Sequence, residues 1–324
     1  MRSCSAWAAA SSHWCAPGAP AAISTRSPGC SWARRCRRPW KFLVSRTRNP
    51  CPCRNTPVVN PLPLSVVVVA KNEAHNLPRC LASVQGWVAE IVVALNDTTD
   101  DSAAIAARYG ARVQTLPWRG YRDTKNNALT LATHPWLLCL DADEEVSAEL
   151  RTEIAAFFAR GDQERCAGAR FPRKVWFIDR WITHGDWYPD YSLRLVRAGR
   201  ARWGGDAYVH EKMECDGVVA TLRGDLHHYS FPSVASHVAK INVFAELFIK
   251  QQQAKGGRFT AVQAILRPLW RFFRAYVVRR GFLDGFPGLY IAWATSFSAF
   301  VRYSRLYEVE HKREPQAPHN LPRS

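Results

Sequence analysis

Residues 1–60 lack aspartate and glutamate altogether, although they hold ten of the 44 lysines and arginines in this 324-residue chain. The formal net charge is +17, so the remaining residues account for only 17 − 10 = +7. A basic excess is typical of proteins that bind nucleic acid or anionic lipid. In this chain no nucleic-acid recognition motif accompanies it. We therefore expect no nucleic-acid partner, and a basic nucleic-acid-binding protein is kept as the non-enzymatic alternative.

The chain also lacks cysteine pairs at zinc-binding spacing and any regular cysteine framework. Six of its ten cysteines precede residue 54, and the other four are scattered singly. A structural zinc module needs closely spaced cysteine or histidine pairs, and a small disulfide-stabilised domain needs a dense cysteine pattern. The sequence fits neither class, and its cysteine usage favours a reducing compartment.

No segment resembles a signal peptide or a membrane-spanning helix. Residues 1–60 show no periodicity and no apolar stretch behind a basic start. We expect them to be disordered, or to be upstream sequence read from a wrongly placed start. The apolar segment 286–300 has only 15 residues, whereas a membrane span needs about 20. We predict that it forms an interfacial, re-entrant or core helix.

From residue 64 onward, apolar runs alternate with helical patterns. The runs LSVVVVA, EIVVAL, ARVQTLP and WLLCL predict strands at 64–70, 90–95, 111–117 and 136–140. Continuous β-branched runs are typical of strands buried on both faces of a parallel sheet. The pattern predicts an α/β fold, with a doubly wound, mostly parallel sheet and helices on both faces. A helical carboxyl-terminal extension follows.

The composition changes twice along the chain. After about residue 160 it becomes rich in aromatic residues, glycine and mixed charge, and from residue 234 to about 310 it has a helical pattern. We predict a main domain at 61–232, divided into halves at 61–150 and 151–232. A helical extension at 233–310 and a disordered tail at 311–324 would complete the chain.

Polar side chains follow three of the predicted strands. They are Lys71, Asn72 and Glu73 after the first strand, Asn96 and Asp97 after the second, and Asp141 and Asp143 after the fourth. In such sheets ligands bind at the carboxyl ends of the strands. Carboxylates there suit a divalent cation that also contacts phosphate, and Lys125 and Asn126 could extend a phosphate site. A surface turn for the acids and a solvated helix face for Lys125 are the structural alternatives.

The order of the motifs is more specific than any one of them. The segments AKNEAHNLPRCLASV, EIVVALNDTTDDS, TKNNAL, LDADEEVS, HGDWYPDYSLRLVRAGRARW and YVHE follow one another along the chain. In this order they resemble the family 2 inverting glycosyltransferases of the GT-A fold, and within them the subgroup of lipopolysaccharide-core β-1,4-glucosyltransferases. The resemblance extends from residue 64 to about residue 310. It implies a hexosyltransferase whose two halves bind a nucleoside-diphosphate sugar and an acceptor.

The resemblance also implies roles for the strand-end residues. Asp141 and Asp143 would hold Mg²⁺ or Mn²⁺ against the donor's diphosphate. The residues expected at the nucleotide sugar are Ala70, Asn72, Glu73, Asn96, Asp97, Lys125, Asn126 and Asp141. Family members carry an aspartate in a DSGSTD-like turn where this chain has LNDTTD, with Leu95 at that position. Asn96 or Asp97 would make the contact with the donor's nucleobase instead. Family members usually use a uridine nucleotide, but the departure at Leu95 leaves the nucleotide of this protein open.

Inversion requires one base that deprotonates the acceptor hydroxyl as it attacks the anomeric carbon. Glu211, in the VHE segment, is the first candidate, and Asp190, in WYPD, is the second. A structural ion pair with Arg194 or Lys212 is the alternative for each. The residues expected on the acceptor side are Trp187, Tyr188 and His210, where aromatic rings can stack on a sugar.

The carboxyl-terminal third separates basic from apolar residues by helix face. Residues 247–283 carry eight lysines and arginines and no acid. Leu266, Trp270, Phe273 and Val277 recur at helical spacing, while Arg267, Arg271 and Arg274 take another face. Such a helix is typical of a membrane interface, with its charge towards anionic headgroups of the cytoplasmic leaflet. A helix packed on the main domain is the alternative.

Together these features predict a membrane-associated, metal-dependent glycosyltransferase of bacterial lipopolysaccharide-core or other surface-glycan synthesis. It would move a hexose, glucose by resemblance, from a donor such as a UDP-hexose to a saccharide or lipid-linked acceptor. We expect it in the cytoplasm, peripherally bound to the inner face of the cytoplasmic membrane. A sugar nucleotidyltransferase with the same sheet and metal site is the enzymatic alternative, and it would release pyrophosphate.

Overall fold

The computed structural model of the protein describes residues 60–205 and 212–313. The expectations for residues 1–59 and 314–324 lie outside these ranges and stay predictions. The same is true of two proposed site residues, His210 and Glu211, which fall in the undescribed segment between the two ranges.

Within the described residues, twelve strands form a sheet of ten and a sheet of two. In chain order they are β1 Leu62–Ala70, β2 Val88–Leu95, β3 Arg112–Thr115, β4 Trp136–Asp141, β5 Glu144–Val146, β6 Gly168–Phe177, β7 Arg180–Trp181, β8 Asp190–Arg197, β9 Ala201–Gly204, β10 Lys212–Cys215, β11 Val219–Thr221 and β12 Leu226–His228. The first four correspond to the four strands expected from the apolar runs.

Helices account for most of the remaining regular structure in the same ranges. In chain order they are α1 Leu77–Val84, α2 Ser102–Arg108, α3 Tyr121–Leu129, α4 Ala148–Ala159, α5 Asp162–Arg165, α6 Val234–Ala254, α7 Ala261–Phe273 and α8 Gly285–His311. A π-helical turn, Arg274–Val278, and a 3₁₀ turn, Gly281–Asp284, connect α7 to α8.

The centre of the sheet is parallel and is covered on both faces. β1 pairs in parallel with β2 and β4, and β2 pairs in parallel with β3. Alternate residues of β1 point to opposite faces: Val66 packs in the cluster that contains Leu77 of α1, and Val67 packs in the cluster that contains Ala128 of α3. The continuous valine run is explained by this burial from two sides, as expected for an α/β sheet.

The second half of the sheet contains both parallel and antiparallel pairs. The expected parallel arrangement is therefore found in the first half of the sheet. β8 runs antiparallel between β4 and β6, and β12 runs parallel to β6 and antiparallel to β5. A parallel neighbour requires a long crossover, usually a helix, whereas β6 is joined to β8 by only a short strand and a 3₁₀ turn. As a result, β8 begins at the edge where the parallel strands end.

The three long carboxyl-terminal helices pack against one another, with α8 in contact with both α6 and α7. The hydroxyl of Ser296 in α8 donates to the carbonyl of Pro268 in α7 at 2.8 Å, and Ala264 of α7 is buried. The segment 286–300 lies within the continuous helix α8 rather than forming a separate one. Among the described residues, no helix combines the length and apolar character that crossing a bilayer would require.

Candidate active site

The polar strand ends surround one cleft of about 1110 Å³. β1, β2 and β4 end at this edge because they are parallel, and β8 begins there because it is antiparallel to β4. Ala70, Asn96, Asp141 and Asp190 line the cleft from these four strands. The fold therefore brings donor-side and acceptor-side candidates from distant parts of the sequence into one cavity.

The carboxylate of Asp141 lies between two cations. Lys125 Nζ is 2.9 Å from Oδ1, and Arg194 Nη2 is 2.5 Å from Oδ2. Arg194 also reaches Glu144 Oε1 at 2.7 Å, and the other oxygen of Glu144 accepts the backbone N–H of Asp141 at 2.9 Å. Burial alone would raise the pKa of Asp141, but Arg194 and Lys125 outweigh it and hold that pKa well below its usual range. Asp141 is therefore ionised, with a cation on each oxygen.

Asp143 lies in the cleft beside an imidazole. Its Oδ2 is 3.4 Å from Nε2 of His228, at the end of β12. The backbone N–H of Tyr229 donates to the carbonyl of Asp143 at 3.0 Å, which ties the two segments together. Burial opposes ionisation of Asp143, but the hydrogen bond and charge of His228 hold its pKa below the ordinary value. The pair presents a carboxylate and an imidazole to the cleft.

A divalent cation fits Asp143 and His228 better than it fits Asp141. Carboxylate oxygen is a ligand that Mg²⁺ and Mn²⁺ prefer, neutral imidazole is a common metal ligand in proteins, and phosphate oxygens and water complete such sites. The two cations on Asp141 oppose a metal ion at that carboxylate. Within residues 60–205 and 212–313, no group of three acidic, histidine or cysteine side chains is placed to bind a metal. The protein alone would thus supply two ligands there.

Asp190 lines the same cleft from the start of β8. Nε and Nη2 of Arg173 both donate to its Oδ2, at 3.0 and 2.5 Å. The structural alternative for Asp190 is an ion pair with Arg194 or Lys212. The structure shows an ion pair with a different partner, because Arg194 points to Asp141 and Glu144 instead. The side chain of Asp190 is still 47% exposed and can meet a substrate.

The other expected donor contacts divide into two groups. Glu73 and Lys125 line the cleft together with Ala70, Asn96 and Asp141. Burial is the main cause that raises the pKa of Glu73, and the nearby charge of Asp143 acts in the same direction. These residues line the cleft, and their contacts with a donor stay predictions.

Asn72, Asp97 and Asn126 are not among the residues that line the cleft. Oδ1 of Asn72 accepts the N–H of Thr99 at 2.8 Å, and Asp97 faces Lys71 at 3.6 Å. The amide of Asn126 is bonded in both directions to the backbone of Trp203, at 2.9 and 2.8 Å. Their contacts support the loops after β1 and β2 and the junction of α3 with β9, and their roles at the donor stay predictions.

Of the acceptor-side candidates that the structure describes, one lines the cleft and one does not. Trp187 lines the cleft and stacks on Phe231, with ring centroids 5.0 Å apart. The hydroxyl of Tyr188 donates to Asp225 at 2.9 Å, and burial together with this bond raises the pKa of Tyr188 to about 12. Tyr188 is thus engaged outside the cleft lining, whereas His210 and the base candidate Glu211 lie outside the described residues.

Several residues that line the cleft are not predicted from the sequence. They are Trp118, Tyr121, Arg173, His228 and Phe231. The exposed rings of Trp118 and Tyr121 meet edge to face, with centroids 4.8 Å apart, just before and at the start of α3. Two signals were present in the sequence, the aromatic WRGY segment that leads into a helix and the HHYSF segment that begins in a short strand. Neither could be assigned without knowing which strands are neighbours.

Comparison with known proteins decides the family. The sequence pattern described as Glycosyl transferase family 2 matches residues 65–205. An uncharacterized glycosyltransferase of Rickettsia felis is 30% identical over 255 residues, which cover 76% of this chain and 89% of that protein. The chain belongs to glycosyltransferase family 2.

Another relative is LpsC of Rhizobium meliloti, described as a lipopolysaccharide core biosynthesis glycosyltransferase. It is 30% identical over 253 residues, which cover 76% of this chain and 93% of that protein. Among solved structures, the mannosyltransferase PcManGT from Pyrobaculum calidifontis, in complex with GDP-Man and Mn²⁺, matches with a TM-score of 0.45. It is 14% identical, and the match covers 78% of this chain and 90% of that chain.

The family and enzyme class predicted from the motifs are therefore confirmed. The protein is a family 2 glycosyltransferase, with the α/β fold expected for that family and a helical carboxyl-terminal part. This family assignment replaces the two alternatives, a sugar nucleotidyltransferase and a nucleic-acid-binding protein.

Proposed function

We propose that this family 2 glycosyltransferase moves a hexose, with glucose expected, from a nucleoside-diphosphate sugar to a saccharide or lipid-linked acceptor. The observation that carries the proposal is the convergence of Asp143, His228 and Lys125 with Asp190 on one cleft. Such a cleft can bind a diphosphate and also deprotonate a hydroxyl. The name of the LpsC relative supports a product in the lipopolysaccharide core or another bacterial surface glycan.

The donor would bind at the strand ends by charge. Asp143 and His228 would hold Mg²⁺ or Mn²⁺, and this ion, when bound, stabilises negative charge on the departing nucleoside diphosphate. Lys125 would add a second positive charge beside the phosphates, because Asp141 Oδ1 fixes its ammonium group at 2.9 Å. Glu73 and Asn96, at the ends of β1 and β2, would contact the nucleoside.

Transfer would be a single displacement with inversion. Asp190 takes the proton of the acceptor hydroxyl while that oxygen forms a bond to the anomeric carbon. The bond from the anomeric carbon to the diphosphate oxygen breaks, and its electron pair leaves with the nucleoside diphosphate. Arg173 bonds to Oδ2 of Asp190, so Oδ1 is the oxygen that would receive the proton. Glu211 is the other candidate base.

The same proposal includes peripheral attachment to the inner face of the cytoplasmic membrane through α7. This helix leaves apolar side chains exposed, among them Trp270 at 58% and Phe273 at 48%. An exposed apolar face of this kind indicates a binding surface. Arg267, an exposed basic residue of the same helix, would complement the anionic headgroups of a bilayer. An acceptor carried on lipid would then be presented to the cleft.

The donor site is tested by calorimetric titration of the protein with a panel of nucleoside diphosphates, with and without Mn²⁺. We expect one of these nucleoside diphosphates to bind in a metal-dependent manner. Its identity would show which nucleobase the donor carries. Asp143→Ala should abolish the metal-dependent part of the affinity, because the carboxylate beside His228 is lost.

Asp123→Ala is the matched control, since Asp123 is an exposed aspartate on α3 that pairs only with the neighbouring Arg122 in the described structure. Its affinity for the nucleoside diphosphate should stay within about twofold of the wild type, as for most surface substitutions. Unchanged Mn²⁺-dependent binding in a folded Asp143→Ala variant would refute a donor site at Asp143 and His228.

A further inference from the structure

A buried carboxylate at the cleft has no hydrogen-bond partner among the described residues. The side chain of Asp186 is only 8% exposed, and neither of its oxygens is satisfied. Asp186 lies in the 3₁₀ turn Gly185–Trp187 and lines the cleft beside Trp187. Buried polar groups are almost always hydrogen-bonded in folded proteins, so an unsatisfied one requires an explanation.

Three arginines surround this carboxylate at distances too long for good hydrogen bonds. Arg271 Nη1, Arg274 Nη2 and Arg279 Nε lie 3.6, 3.4 and 3.7 Å from the oxygens of Asp186. The helical pattern of the sequence predicts that Arg271 and Arg274 lie on a face that meets lipid headgroups. The structure instead directs both of them, from the end of α7 and the π-helical turn, towards a group at the cleft.

The charges in this cluster do not balance. One carboxylate offsets only one of the three guanidinium groups, which leaves two positive charges in a partly buried place. A fourth cation is close by, since burial and the charge of Arg271 both lower the pKa of Arg302. Guanidinium groups bind phosphate through paired N–H donors. The geometry of the cluster, with its N–H groups poorly used by Asp186, suits an additional anion.

We infer that Arg271, Arg274 and Arg279 form, around Asp186, a subsite for a phosphate monoester carried by the acceptor. The inference rests on the proposed function and adds the chemical class of the acceptor to it. Asp186 keeps the three guanidinium groups together, and an arriving phosphate supplies the acceptor oxygens that Asp186 does not. Trp187, the next residue, lines the cleft where the acceptor sugar would lie.

The position of the cluster favours a lipid-borne phosphate over a free one. Trp270 and Phe273 of α7 are next to Arg271 and to Arg274, the first residue of the π-helical turn, and both rings are exposed. A bilayer that meets these rings would bring its phosphates to the level of the arginines. The acceptor sugar would then extend from the subsite into the cleft.

The first test is calorimetric titration with methyl phosphate, with saturating nucleoside diphosphate and Mn²⁺ present to occupy the donor site. Arg274→Gln and Arg279→Gln should each weaken binding by about tenfold, as for loss of a charged hydrogen bond. Arg280→Gln is the matched control, because it removes the same charge one residue away from Arg279. Its effect should stay within about twofold. Equal weakening by Arg280→Gln, or none by the other two, would overturn the inference.

Asp186→Asn separates a ligand subsite from a purely structural anchor. With the negative charge removed, three cations attract the anion unopposed, so the affinity for methyl phosphate should rise several-fold. If Asp186 only anchors the three arginines structurally, the affinity for methyl phosphate should not rise. If this variant does not fold, Arg274→Lys replaces it: the charge remains but the fork of donors is lost, so affinity should fall between wild type and Arg274→Gln. Affinity equal to the wild type would contradict paired donation.

Vesicles distinguish the source of the phosphate. We would compare phosphatidylcholine vesicles containing phosphatidic acid, a phosphate monoester, with vesicles containing phosphatidylserine at matched surface charge. Preferential sedimentation with phosphatidic acid, lost in the double variant Arg274→Gln with Arg279→Gln, would support a lipid-borne phosphate. Methyl phosphate binding without this preference would refute the lipid-borne source and leave a soluble phosphate as the ligand.

The same variants separate failure of the subsite from failure of the proposed function. If the subsite is wrong, the arginine variants change neither anion binding nor nucleoside diphosphate binding. If the donor site is wrong, no nucleoside diphosphate binds to the wild type, while methyl phosphate titrated alone still depends on Arg274 and Arg279.

Discussion

At the scale of single residues, the cleft depends on charges that compensate one another inside the protein. Arg194 is only 4% exposed. Burial lowers its pKa, but Asp141 and Glu144 outweigh burial and hold that pKa above the ordinary value. Removing one member of such a buried network leaves an uncompensated charge and costs about 3–5 kcal/mol. The sequence identified Asp141 as a strand-end acid, but Arg194 could not be assigned to it without knowing that β8 pairs with β4.

Asp190→Asn tests the base assignment. Asparagine keeps the size of the side chain and can still accept from Arg173, but it cannot take a proton. Affinity for nucleoside diphosphate should therefore be retained, while the transfer rate falls by about 10²- to 10⁴-fold, as is typical for loss of a general base. The rate is measured as release of nucleoside diphosphate with acceptor present.

The exposed aspartate Asp179, paired with Arg180, offers a matched control. Asp179→Asn should transfer at close to the wild-type rate. Glu211→Gln is made in parallel. If Glu211→Gln loses transfer and Asp190→Asn does not, Glu211 is the base and the assignment of Asp190 is wrong.

Glu90 is a second residue whose charge has a measurable consequence, at the end of the sheet away from the cleft. Ser65 donates to its carboxylate at 2.5 Å, Arg112 at 2.8 Å and the N–H of Thr133 at 2.9 Å. Burial opposes ionisation, but these bonds lower the pKa of Glu90 from 4.5 to about 2. One carboxylate thus links β1, β2, β3 and the segment that leads into β4.

Glu90→Gln should lower the free energy of unfolding at pH 7 by about 1–3 kcal/mol. Because the folded pKa is depressed, this contribution is fully present above the unfolded pKa and is lost as pH falls from about 4.5 towards 2. The difference between wild type and variant should therefore shrink over that interval. Urea unfolding at several pH values measures it, with the exposed Glu164→Gln as control. A difference that does not change with pH would contradict this account.

At the scale of elements, apolar periodicity predicted what lies close together in sequence. The valine run of β1 and the apolar runs of β2 and β4 were placed within two residues of their observed bounds, because both faces of each strand are buried. The position of β12 beside β5 and β6 was not predictable, since three-residue strands carry no periodicity. His228 is positioned by that pairing and was missed for this reason.

The exposed face of α7 permits a prediction at the same scale. The double variant Trp270→Ser with Phe273→Ser removes two exposed rings that would enter the membrane interface. Binding to vesicles containing phosphatidylglycerol should weaken by about tenfold or more, from the apolar area no longer buried. Sedimentation of the protein with the vesicles measures the change.

Val218→Ser is the matched control, because Val218 is an exposed apolar residue, 66% accessible, in the loop before β11. The Val218→Ser variant should bind vesicles as the wild type does. Both this variant and the double variant should keep their affinity for nucleoside diphosphate. If the double variant sediments as the wild type does, α7 is not the membrane-binding element, and its apolar face must serve another contact.

At the scale of the whole molecule, much of the net positive charge lies outside the part of the chain that matches the family. The residues that line the cleft fall between Val69 and Phe244, and the family match begins at residue 65. The acid-free residues 1–60 contribute ten positive charges. Composition alone showed this separation, whereas the site itself required the pairing of strands that are far apart in sequence.

A chain that begins at residue 60 should therefore keep the donor site intact. β1 starts at Leu62, so the deletion removes no described strand. Affinity for nucleoside diphosphate and the transfer rate should stay within about twofold of the full chain, as for changes remote from a site. Vesicle binding should weaken, because each cation near an anionic surface contributes about 1 kcal/mol. Calorimetry and vesicle sedimentation on both chains measure these effects. A tenfold loss of donor affinity, with the circular dichroism spectrum unchanged, would place part of the donor site in the residues removed.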